Sequence, residues 1–315
     1  MPQLMTVGEI LVEMMADQVG QTFLSPGCIH GPYPSGAPAI MIDQAARMGA
    51  DCGIVACVGA DDFGRMNIQR LEADGVVTRG IVTKADETTG VAFVGYAADG
   101  SRGFIFHFAH AAAGSLKPEE VDETLLDDVK IFHVMGCSLS ASQSLREAVL
   151  RAARLAKEKG ALVSFDPNIR PELLKLEAVR RVFAQMLEEC DILLTGRKEL
   201  IDITGMEADA AIEKYAGKNK YALVIKDGSH GARILAGGKD ERIPSYSVAE
   251  VDPTGAGDCF DGAFLASLLE GKTLREAARI GNAAGALSVT RRGPMEGAHY
   301  REEVLEFMGN NEKIQ

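Results

Sequence analysis

Apolar runs rich in β-branched residues recur through the middle of the chain: IFHVMG at 131–136, ALVSFD at 161–166, DILLT at 191–195 and YALVIK at 221–226. They begin about thirty residues apart. Between the first two, ASQSLREAVLRAARLAKEKG (141–160) places Leu145, Val149, Ala152 and Ala156 on one helical face and stops at Gly160. One strand and one helix per thirty residues is the period of βαβ units. It predicts a three-layer α/β/α body in which helices cover a mainly parallel central sheet.

The N-terminal part follows another pattern. LMTVGEILVEM reads as a first strand, followed by Gly- and Pro-rich sequence through residue 35. SGAPAIMIDQAARMGA then reads as a helix capped by Ser35, with Pro38 in its first turn. Residues 88–108, TTGVAFVGYAADGSRGFIFHF, alternate apolar and polar around Asp99-Gly100, a hairpin signal without helical content. The expectation is a small antiparallel β lid, built from about 13–35 and 88–112, projecting from one domain that spans 1–315. No low-complexity linker divides the two.

Composition narrows the classes of function. A formal charge of −12 disfavours nucleic acid or an anionic membrane as partner, because both demand basic surface. A polyanion would have to bind in a local pocket of backbone donors, a few cations and metal. Six scattered cysteines without a CxxC pair fit buried free thiols in a reducing compartment. The N-terminus has acids at 9 and 13 and no basic leader, and no apolar run reaches membrane-spanning length, so the expected location is cytoplasmic.

The densest chemistry lies in VDPTGAGDCFDGAF, residues 251–264. YSVAEV before it reads as a strand. Cys259 to Glu270 reads as a helix with Phe260, Phe264, Leu265, Leu268 and Leu269 apolar and Gly271 as its stop. Thr254-Gly255-Ala256-Gly257 therefore falls at a strand-to-helix junction, where unpaired amides and the helix dipole favour a phosphate or a developing oxyanion. Asp258, opening the helix, reads either as a plain dipole partner or as a general base beside an anion cradle. A dinucleotide fingerprint is excluded, since Phe260 stands where its third glycine belongs, and the chain has no GxxxxGK[ST] P-loop.

DPTGAGDCFDGAF resembles the C-terminal signature of the ribokinase-like (PfkB) carbohydrate kinases, in which D-x-T-G-A-G-D-x-F carries anion hole and base. GEILVE, GAPA at 36–39, CVGADDFG at 57–64, TTG at 88–90, DPNIRPEL at 166–173, KDGSHGA at 226–232 and NAAGALSV at 282–289 fall in that family's order. The resemblance implies an ATP-dependent sugar kinase acting on a hexose, ketohexose or keto-sugar acid, in a fructokinase or 2-keto-3-deoxygluconate kinase-like branch. A nucleoside kinase and a non-catalytic sugar sensor stay open as alternatives.

By the same resemblance Asp258 is the base, and the amides of Gly255, Ala256 and Gly257 form the anion hole. Asn168 and Arg170 position phosphates and substrate, and Glu199 holds Mg2+ through water. Lys226, Gly228, Gly231 and Asn282 line the nucleotide site, and Asp252 binds a monovalent cation such as K+. Glu13, Gly36, Ala37, Asn168 and Asp258 meet the sugar, with Arg102, His107 and His110 as further candidates. The chain departs from the family pattern at Ile40 and Gly196, where asparagine is usual, and at Glu13, where aspartate is. The implied partners are the sugar and ATP, with no nucleic acid or membrane, and a second copy of the chain joined through the lid.

Overall fold

A computed structural model describes residues 1–99, 101–169, 174, 176–216 and 221–312. The expected first strand divides into β1 (Leu4–Val7) and β2 (Leu11–Ala16). The chain leaves one sheet and enters another between them, at Gly8. β3 (Ile29–Ser35) and β6 (Gly90–Tyr96) flank β2, and β7 (Arg102–His107) pairs with β6. Both outer pairs of this small sheet are antiparallel, as the hairpin signal requires, while β2 and β6 run parallel. Gly100, the second residue of the expected turn, lies outside the described residues.

The large sheet combines β1 with β4 (Cys52–Gly59), β5 (Val77–Lys84), β8 (Ile131–Met135), β9 (Leu162–Asp166), β10 (Ile192–Gly196), β11 (Ala222–Lys226), β12 (Ala232–Ala236) and β13 (Lys239–Ile243). Their order is β13-β12-β11-β10-β9-β8-β1-β4-β5. Only the β11–β12 and β12–β13 pairs are antiparallel, so the thirty-residue period produced the mainly parallel sheet it predicts. The chain moves outward in opposite directions from β1 and β8. The crevice outside their carboxyl ends is thus a switch point, where open α/β sheets bind ligands.

One core layer packs α1 (Ala37–Arg47), α8 (Ala256–Leu269) and α9 (Leu274–Ser288) against one face of the sheet. The opposite layer contains α4 (Gln143–Glu158) and α5 (Glu177–Glu189). α1 is further tied by a buried ionic cluster: Arg70 reaches Asp43 at 3.2 Å and Asp74 at 2.6 Å, and Arg47 reaches Asp74 at 3.0 Å. No described helix is long and apolar enough to cross a membrane. The cysteines are free thiols, five of them buried and Cys28 exposed.

Two local expectations are corrected. Ser35 does not cap α1: Gly36 stands at the cap, and the Ser35 hydroxyl instead donates to Glu13 Oε1 at 2.7 Å. Residues 246–251 form no strand; they run as an irregular segment along a cavity described below. The alternation in YSVAEV is real, but among the described residues no strand lies beside it to take its backbone hydrogen bonds.

His133 in β8 is fully buried, with Nδ1 2.7 Å from Ser164 Oγ on β9, and burial lowers its pKa to about 3. The unfolded chain takes up that proton near pH 6.5. This residue's contribution is therefore complete above pH 6.5 and is lost progressively as the pH falls toward 3. Urea unfolding at pH 7 and pH 5 should show a loss specific to wild type of about 2 kcal/mol relative to His133→Gln. Equal pH slopes for the two proteins would refute this.

Candidate active site

Three neighbouring strands end at the site: β9 with Asp166, β10 with Gly196 and β11 with Lys226. The residues after β1 and β8 bring in Glu9 and Cys137, and the first turn of α8 closes the far side. These groups line a cavity of about 280 Å³ with Glu13, Ser35, Gly36, Ala37, Ile40 and Asn168, and the small sheet roofs it. A strand alternates its faces, so Arg102, Phe104 and Phe106 of β7, followed by Phe108, all point one way, into the cavity. His107 occupies the opposite face, against Phe93, and neither it nor His110 lines the cavity.

The glycine turn is shaped by two demands at Gly255. Its φ of +81° is left-handed, and a Cβ there would lie 2.6 Å from the carbonyl oxygen of Pro294 and 3.3 Å from Ile40 Cγ2. Only glycine satisfies both. The first bond of α8 runs from Cys259 N to Gly255 O at 2.8 Å, so the amides of Gly255 to Gly257 precede the helical ladder and border the cavity. Asp258 follows them in the first turn, 7% exposed, and its Oδ1 accepts from Asn168 Nδ2 at 3.0 Å. Asn168 is held at φ +38°, a left-handed conformation that aims its side-chain amide at Asp258. Arg170 lies outside the described residues.

A second cavity of about 540 Å³ lies on the other side of the turn, lined by Gly228, Gly231, Tyr246, Asn282 and Ala286 among others. Asn282 Nδ2 donates to the carbonyls of Ile243 and Pro244 at 3.1 and 3.0 Å, so its amide nitrogen also anchors the segment after β13. Lys226, Pro253, Ala256 and Gly257 line both cavities. Lys226 is itself bound: Nζ lies 2.7 Å from Asp166 Oδ2 and 3.0 Å from Asp261 Oδ1.

Glu199, at the start of α6 (Arg197–Thr204), accepts from the amides of Gly196 at 2.8 Å and Ile169 at 3.2 Å. Burial and the nearby Asp166 charge nevertheless hold its pKa above the ordinary carboxylate value. A carboxylate so fixed at the edge of the cavity suits Mg2+ held through water, since Mg2+ keeps several waters and takes few protein ligands. Asp252 is 1% exposed and accepts from Thr254 N at 3.0 Å, Thr254 Oγ1 at 2.7 Å and Gly293 N at 3.0 Å. It clamps the turn to the loop before α10 (Arg301–Glu312).

Several contributors escaped the sequence reading. Glu9 is buried and accepts from Cys137 Sγ at 2.9 Å and from the Ser138 hydroxyl. Its acid stood out within an apolar run, yet nothing local said that it faced a cavity. Asp261 had a clearer signal: an acid three residues after Asp258, on the apolar side of a buried helix.

The pattern of the pfkB family carbohydrate kinases matches residues 1–300. Fructokinase-1 of Oryza sativa subsp. japonica is 34% identical over 312 residues, covering 96% of both chains. The chain is also similar to the solved structure of Ribokinase II from E. coli (a provisional designation), bound to ATP and magnesium. That similarity has a TM-score of 0.93 and 44% identity and covers 98% of this chain and all of the other. Fructokinase from Xylella fastidiosa, solved with ATP, matches with a TM-score of 0.88 and 26% identity over 99% of this chain and all of that one. The glycine turn at the start of α8, its buried aspartate and these whole-length similarities agree: the chain belongs to the pfkB family of carbohydrate kinases and is a sugar kinase.

Proposed function

We propose that this kinase transfers the γ-phosphoryl group of ATP to a hydroxyl of a hexose, ketohexose or keto-sugar acid bound in the 280 Å³ cavity, with the nucleotide in the 540 Å³ cavity. One observation carries the reading. The two cavities meet at the Gly255–Gly257 turn, with Asp258 on the acceptor side. Asp258 takes the proton of the acceptor hydroxyl as that oxygen bonds to the γ-phosphorus and the bond to ADP breaks. The Gly255, Ala256 and Gly257 amides face the charge that gathers on the phosphoryl oxygens, supported by the dipole of α8. Mg2+, when bound, neutralises charge on the nucleotide's phosphates, and Glu199 orients its waters. Gly228, Gly231 and Asn282 serve the nucleotide, while Glu13, Gly36, Ala37 and Asn168 serve the sugar.

Glu9 and Glu13 line the acceptor cavity beside Arg102 and Lys226, and their carboxylates accept hydrogen bonds from sugar hydroxyls. In this reading the whole chain, 1–315, acts as one cytoplasmic unit, with the small sheet as its lid. Asp252 supplies one ligand to a monovalent cation that steadies the turn. A second copy of the chain covers the outer lid surface, where Val19, Leu24, Ile29 and Ile105 are 66%, 96%, 44% and 46% exposed. Light scattering should read twice the chain mass, and a monomer at micromolar concentration would remove that part.

ADP release over a sugar panel, with the phosphorylated carbon assigned by NMR, should show turnover of a hexose, ketohexose or keto-sugar acid ahead of nucleosides. Sugar binding without turnover on any member would reject the kinase reading in favour of a sensor. Asp258→Asn should lower kcat by about 10²–10⁴-fold while leaving nucleotide affinity in place. Wild-type kcat in that variant would exclude Asp258 as the base.

A further inference from the structure

Lys226 combines three features that lining a nucleotide cavity does not require. First, one ammonium is held by two buried carboxyl groups from different elements. Nζ lies 2.7 Å from Asp166 Oδ2 at the end of β9, and 3.0 and 3.1 Å from the two oxygens of Asp261 on α8. Asp166 is 2% exposed and Asp261 is not exposed at all. Second, Lys226 borders both cavities, a place it shares with Pro253, Ala256 and Gly257 and holds as the charged member of the four. Third, a Cβ placed on Gly257 would stand 3.3 Å from Nζ, so the ammonium lies against the backbone of the anion-hole turn.

A purely mechanical role explains these features poorly. A buried ion cluster seldom stabilises a fold more than apolar side chains of similar volume. Joining two strand ends to a helix would not need a cation at the opening between two cavities. The ammonium has three hydrogens, and two carboxyl groups engage it.

We infer that Lys226 is a catalytic residue that binds the phosphoryl group in flight, its ammonium acting beside the Gly255–Gly257 amides, with Asp261 and Asp166 as the positioning residues that hold it there. The inference rests on the kinase reading above and deepens it. In phosphoryl transfer the charge spreads over the equatorial oxygens of the migrating group, and catalysis is mostly positioning and electrostatic stabilisation. A cation already in place stabilises that charge without reorganising at the moment of reaction.

The two aspartates explain how the cation is kept ready. Burial opposes its charge, but Asp166, Asp261 and Glu199 together hold Lys226 firmly protonated. Burial likewise opposes ionisation of Asp166, yet the Lys226 ammonium keeps that carboxyl below its ordinary range. Burial pushes Asp261 the other way, above its ordinary range, with the Lys226 ammonium opposing that shift. The ammonium thus stays charged while the cavities hold no anion. Lys226 neither gains nor loses a proton during transfer: the hydroxyl proton goes to Asp258, the acceptor oxygen bonds to phosphorus, and the electron pair of the broken bond leaves with ADP.

The test compares two nucleotides that differ in the γ-phosphate. With Mg2+ present, Lys226→Gln should weaken binding of the non-hydrolysable β,γ-imido analogue of ATP by about tenfold or more, while ADP affinity moves by less than about threefold. kcat should fall by about 10²–10³-fold. The double variant Lys226→Met with Asp166→Asn removes the ammonium together with the charge it balances. It keeps the comparison available if Lys226→Gln alone does not fold, and it should show the same selective loss. Equal weakening of both nucleotides, or unchanged preference with kcat within about threefold of wild type, would overturn the inference. A wild type inert toward every sugar would instead count against the kinase reading, because the analogue-to-ADP comparison is made without turnover.

Discussion

A lysine enclosed with two aspartates joins the carboxyl ends of β9 and β11 to the first turns of α8, and the geometry of the site depends on that junction. Removing one partner of such a cluster leaves an uncompensated buried charge, a loss of about 3–5 kcal/mol in comparable settings. The cluster therefore resists any relative motion of these three elements. Asn168, two residues after Asp166, donates to Asp258, and its own amide donates to Asp166 Oδ1 at 2.9 Å. Asp258 is thus positioned from one side by its own helix and from the other by the segment after the strand that carries Asp166.

The glycine turn works within this frame. Gly255 is pressed between Pro294 and Ile40, so the start of α8 contacts both the loop before α10 and α1, which borders the 280 Å³ cavity. Arg102 of the small sheet donates to Thr254 Oγ1 at 2.8 Å, and Thr254 is in turn bound to Asp252. Roof, turn and C-terminal loop are consequently linked by one chain of polar contacts around a cavity whose remaining lining includes the Phe104, Phe106 and Phe108 rings. Ile40 acquires a meaning that its departure from the family pattern did not suggest. It packs on Gly255 as well as facing the cavity.

Much of this was legible beforehand because it depends on short-range regularities. The thirty-residue period encodes the parallel sheet, since each strand and helix must bury one face against its neighbours. TGAGD at a helix start encodes a tight glycine turn whose amides precede the helical ladder, since the first amides of any helix lack a carbonyl of the same helix. Where the reading failed, the deciding partner was distant. Ser35 looked like a cap but bonds Glu13, 22 residues earlier. YSVAEV looked like a strand but found no strand beside it. LMTVGEILVEM looked like one strand but serves two sheets, because its two halves meet different partners.

Taken alone, then, the sequence determined the layer architecture, the glycine turn with its aspartate, and the family to which these point. All of them follow from periodicity and contiguous motifs. Tertiary structure decided what each isolated charged residue meets: that Glu9 and Glu13 line one cavity, that Asp261 turns inward to Lys226, and that Lys226 borders both cavities. The physical reason is range. Backbone geometry and hydrophobic period act over a few residues and are written locally, whereas burial and charge pairing depend on groups brought together from across the chain, 35 residues apart for Lys226 and Asp261 and 90 for Asn168 and Asp258.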